Sequence, residues 1–115
     1  MKKLSLLLLF CAATAFAQEP PYIYKQFGFI PKEYKGALTA KQKGELDACL
    51  NKAREQKDQA KANGQASGDL FGFSISNCLA NNSDLGKGWR VQEKTDAGWQ
   101  DVSVLQVVRT FMGID

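Results

Sequence analysis

The chain has 115 residues, with 15 Lys or Arg against 12 Asp or Glu, three cysteines and no histidine. That length suits one domain around a single modest core. The missing histidine excludes Ser-His and Cys-His nucleophile pairs and His-ligated zinc, copper or haem, and there is no P-loop, G-x-S-x-G or dinucleotide fingerprint.

The first element is a leader. "MKKLSLLLLFCAATAFA" joins Lys2 and Lys3 to an apolar run from Leu4 and ends on Ala15-Phe16-Ala17, the organisation of a bacterial secretory signal peptide over residues 1–17. Cleavage before Gln18 is expected, which leaves Gln18 to Asp115 in the periplasm or secreted outside the cell. The apolar run is too short to cross a bilayer as a stable helix. A lipoprotein signal ending at Cys11 is the rival reading, and Phe10 argues against it by standing where a small residue is wanted. Without the leader, 13 basic residues face 12 acidic ones. The one lysine-rich stretch, Lys41 to Lys61, interleaves six cations with four carboxylates. That is a solvated helix face; a nucleic-acid partner needs a concentrated basic patch and is not expected.

Residues 18–38 read as an extended arm rich in proline and aromatics. Tyr22, Ile23, Tyr24, Phe27, Phe29 and Ile30 crowd together, while Pro20, Pro21 and Pro31 oppose a helix at either end. Packing of the aromatics over the rest of the chain is the expected use, and an exposed docking arm through Tyr22 and Tyr24 is the functional alternative.

A small globular domain is expected over 39–115. Thr39 followed by Gln42 predicts a capping box, and Leu46, Cys49, Leu50 and Ala53 follow at helical spacing. Asn63-Gly64 is a helix stop lying midway between Cys49 and Cys78. Two antiparallel helices joined there, about 39–81, bring the two cysteines level, and an oxidising compartment favours a disulfide between them. The second arm is ambiguous. Phe71, Phe73 and Ile75 alternate as in a strand, whereas Phe71, Ile75, Cys78 and Leu79 recur as in a helix capped by Ser67, the reading preferred here.

After a turn-rich linker, "GWRVQEKTDAGWQDVSV" predicts a β-hairpin turning at "TDAG", with Trp89 and Trp99 on one face and Arg90 opposite. Val104, Leu105, Val108, Phe111 and Met112 then predict a C-terminal helix stopped by Gly113, although the valines also suit a strand over 102–112. The expected fold is therefore mainly α: a disulfide-stapled helical hairpin, a C-terminal helix and a small β-hairpin within about 88–113, with α+β as the alternative.

Chemistry is sparse. Asp69, Asp84, Glu93, Asp96 and Asp101 are the carboxylates available for a small glycan hydrolase, but most sit at turns or helix starts, where they have structural work. Asn82, Ser83 and Asp84 lack the spacing of a calcium loop, and no metal or cofactor is expected. Trp89, Arg90 and Trp99 are residue types that dominate protein interfaces. The expected function is a non-catalytic protein-binding protein, with an envelope immunity protein or enzyme inhibitor as the concrete form. A secreted factor acting on a host or neighbouring cell is the other binding class.

Overall fold

The computed structural model describes residues 19–65, 68–81 and 88–113. The leader 1–17 with Cys11, Ser67, the cap expected for the second arm, and the Asn82-Ser83-Asp84 group lie outside the described residues. Four strands form one antiparallel sheet in chain order: β1 (Tyr22–Tyr24), β2 (Phe27–Pro31), β3 (Trp89–Thr95) and β4 (Gly98–Asp101). Between β2 and β3 the chain makes α1 (Ala40–Ala62) and α2 (Leu70–Ser76), which widens into a π-helical turn at Asn77–Asn81; α3 (Val104–Met112) ends the fold.

The expectation of a mainly α protein is thus overturned, and the arrangement is α+β. The arm is the reason. Its prolines forbid helix only at its ends, and the aromatic run between them folds back on itself as β1 and β2 around the turn Lys25-Gln26. β2 then pairs with β3, setting Phe29 against Val91 and Pro31 against Trp89.

Phe27, Phe29, Trp89 and Val91 share the inner face of the sheet with Tyr22 and Tyr24 at its rim. Against it lie Leu46, Cys49, Leu50 and Ala53 of α1, Ile75, Cys78 and Leu79 of the second arm, and Val107 and Phe111 of α3. Aromatic contacts tie the layers together: the Phe27 and Phe111 ring centres are 4.9 Å apart, and Tyr24 meets Phe71 edge-on at 5.1 Å.

Helix boundaries follow local chemistry. Thr39 and Gln42 form the reciprocal capping box, α1 closes at Asn63, and Gly64 takes a φ of 73° that a side chain would resist. The second arm is helical, but its cap is Asp69 in place of Ser67, accepting from the Gly72 amide at 2.9 Å. Cys49 and Cys78 are joined by a disulfide with Cα atoms 5.6 Å apart, and both are buried. α3 starts on Ser103 and stops at Gly113, with a φ of 74°. Its buried stripe is Val107 and Phe111, with Val104 partly covered. Leu105, expected on that stripe, is 65% exposed, because at about 100° per residue it lies on the far side of the helix from Val107 and well off the line of Phe111. No helix among the described residues is long and apolar enough to cross a membrane.

Candidate functional site

Among the described residues the helices pack on one face of the sheet. The opposite, outer face is assembled from alternate residues: Ile23 on β1, Gly28 and Ile30 on β2, Arg90, Gln92 and Lys94 on β3, and Trp99 and Asp101 on β4. The β3–β4 hairpin turns through Asp96-Ala97, so Thr95 opposes Gly98 and Lys94 opposes Trp99. This register corrects the expected grouping of the tryptophans. An odd-numbered residue of β4 lies opposite an even-numbered one of β3, so Trp99 joins Arg90 and Lys94 while Trp89 faces the helices. Trp89 is 2% exposed and donates its indole N–H to Glu45 Oε1 of α1 at 3.0 Å. Tyr22 and Tyr24 also stand on the helix side. Of the five residues expected at a partner contact, Arg90 and Trp99 share the outer face, four residues apart along the strand direction.

Three polar side chains knit the outer face. Arg90 Nη1 lies 2.9 Å from both carboxylate oxygens of Asp101, which also accepts from Gln92 Nε2 at 3.0 Å. Beside them Lys94 extends its ammonium over the Trp99 ring, 5.4 Å from the centre. Ile23, at 41% exposure, leaves an apolar side chain open to solvent at the β1 end. Two polar atoms of this face are buried and make no hydrogen bond to the described residues, Trp99 Nε1 and Gln92 Oε1. Gly28, Gln92, Lys94 and Asp101 were not singled out by residue type as belonging here. The two-residue turn was the available signal, since it fixes which residues of the hairpin share a face.

The carboxylates considered for catalysis each have a place in the architecture. Asp101 is held by Arg90 and Gln92, and Glu93 accepts from Gln26 at 3.3 Å. Asp96 lies exposed in the hairpin turn, and Asp84 lies outside the described residues. Asp69 is a junction: besides capping α2 it accepts from Tyr24 Oη at 3.3 Å and pairs with Lys25, while its own amide donates to the Phe111 carbonyl at the end of α3. Lys25 holds a left-handed φ of 60° in the β1–β2 turn, so this contact locks a turn residue unsuited to that backbone.

Burial pushes the Asp69 carboxyl up, but the Lys25, Gly72 and Tyr24 hydrogen bonds together outweigh it and hold the group below its ordinary value of 3.8. A depressed carboxyl contributes stability that is present above its unfolded value and is lost as pH falls through its folded value. Asp69→Asn is therefore expected to cost about 1 kcal/mol at neutral pH. In urea unfolding the gap between the two proteins should hold from pH 7 down to about pH 5, then close as the medium becomes more acidic than the ordinary carboxyl value. A gap independent of pH would rule out the charge as its source.

A cleft of about 480 Å³ lies between the end of β2 and the start of α1, where Lys32, Lys35 and Lys41 are offset by Glu33 and Glu45. Glu45 is already engaged by Trp89. Among the described residues no group of three or more Cys, Asp or Glu side chains is placed to hold a metal ion.

Comparison with protein-family models, with curated proteins and with solved structures finds no match to this chain. Its function is therefore argued from its own surface.

Proposed function

We propose that this chain is a small exported, non-catalytic protein-binding protein whose recognition surface is the outer face of the sheet. An inhibitor of an envelope enzyme, or an immunity protein, is the form that best suits its size and rigidity. The observation that carries the reading is the company on that face: Arg90 and Trp99, residue types that anchor protein interfaces, both lie on the face where, among the described residues, no helix packs, linked through Asp101, which Arg90 holds two residues from Trp99. The disulfide supports an oxidising compartment, in keeping with the leader.

The test is capture from envelope extract and culture supernatant with oxidised Gln18–Asp115 as bait. One dominant partner at near-equal amount is expected, and Arg90→Ala or Trp99→Ala should weaken its binding by about tenfold or more. Lys52→Ala and Glu55→Ala, on the exposed side of α1, should leave it unchanged. Undiminished capture by the outer-face variants would overturn the choice of surface, and absence of a stoichiometric partner from both fractions would overturn the function.

A further inference from the structure

At Gly28 the outer face is covered by a residue from outside the sheet. Gly28 sits at its centre, opposite Gln92, and Pro20 lies directly upon it. A Cβ on Gly28 would fall 2.3 Å from Pro20 Cγ and 2.7 Å from Pro20 Cβ, and 3.2 Å from Trp99 Cζ3. The pyrrolidine ring and the edge of the indole thus converge on one notch, which exists because residue 28 has no side chain. Pro20 is buried there, while Glu19 before it is exposed.

The notch has the elements used to recognise proline. A flat aromatic edge and a side-chain-free floor accept a rigid pyrrolidine ring with little loss of conformational freedom. The same indole carries a buried N–H that donates to nothing among the described residues, and an extended proline-rich segment, whose carbonyls are unpaired, supplies acceptors for such a group. We propose that the Gly28–Trp99 notch is a binding site for a proline-containing extended segment of a partner protein, and that Pro20 is its resident occupant.

Pro20 then acts as a tethered competitor. Its attachment two residues before β1 gives it a high effective concentration, so a partner must offer a better-matched segment to displace it. This specifies how the partner would be read, and it rests on the assignment of the outer face as the recognition surface.

The experiment uses the oxidised, 15N-labelled chain from Gln18 to Asp115, titrated with a capped peptide of six prolines while the two indole N–H signals are followed by NMR. Trp89, bonded to Glu45 on the far side of the sheet, is the internal reference. In Pro20→Gly the Trp99 signal should move saturably while that of Trp89 stays still, with affinity about tenfold or more above that of the unaltered chain. Adding Gly28→Ala to Pro20→Gly should abolish the response by filling the notch. Pro20→Ala, which removes the ring with less backbone freedom, serves if glycine unfolds the chain. A Trp99 signal that ignores the peptide in a folded Pro20 variant, or that responds equally with Gly28→Ala present, overturns the proposal. Loss of partner capture in Arg90→Ala alongside a silent Trp99 would overturn this inference and leave the recognition surface standing.

Discussion

Trp89→Ala should be among the most destabilising single substitutions in the chain, at about 3–5 kcal/mol in urea unfolding followed by far-UV circular dichroism. Two losses combine. The largest side chain of the inner face is removed from between β2 and α1, and the surrounding layer can collapse only partly into the space. Glu45 also loses its indole donor, although it is only half-buried and water can replace part of that bond. Trp89→Phe separates the terms: it keeps much of the volume, loses the donor, and should cost about 1–2 kcal/mol. Equal costs for Phe and Ala would mean that the hydrogen bond, and not the packing, is what Trp89 provides.

Loss of the Cys49–Cys78 bridge should be comparable. It closes a loop of 30 residues counted end to end, which in the loop-entropy treatment restricts the unfolded chain by about 3.5 kcal/mol, a large share of the stability of so small a domain. Cys49→Ala, Cys78→Ala and the double variant should lose nearly the same amount, because each breaks the same single link. Both sulfurs are buried against α1 and the second arm, so the oxidised folded protein should show no thiol reactive towards Ellman's reagent. Unequal single variants would point to packing in place of the crosslink, and a reactive thiol in the oxidised protein would refute the bond.

These two residues also mark what could be read from sequence. The disulfide was legible because compartment, spacing and the Asn63-Gly64 stop all converge on one pairing. The capping box at Thr39 was legible because it is local chemistry. The sheet was not, and β2 shows why. Its residues are buried on both faces, Phe27, Phe29 and Pro31 by the helices and Gly28 by Pro20, so "FGFIP" has no polar alternation to announce a strand. Its partner strand lies beyond the whole helical hairpin, at a distance no local pattern records. The cap at Asp69 was hidden for a similar reason: Tyr24 at the end of β1 and Lys25 in the turn after it reach Asp69 from more than 40 residues earlier.

The hairpin assignment was local enough to be legible, but the face of its tryptophans depended on the turn. Counting two residues between the strands places Trp99 opposite Lys94, on the same face as Arg90. The candidate surface was therefore within reach of the sequence once that count was made. The notch was not, since it requires Pro20 to return across β2.

The pairing of β2 with β3 gives the bridge a second role, in the order of assembly. Pro31 and Trp89 are neighbours in the sheet although the intervening polypeptide holds both helices of the hairpin. Once Cys49 and Cys78 are linked, the path between those strands is cut to about half its length, because the chain between the cysteines no longer has to be traversed. Halving a flexible loop lowers its closure cost by about 0.6 kcal/mol, equivalent to roughly a threefold change in the probability of strand encounter. Oxidation in the α layer therefore acts as a shortcut for the β layer: a chain oxidised early meets its long-range strand partner more often than one kept reduced until late.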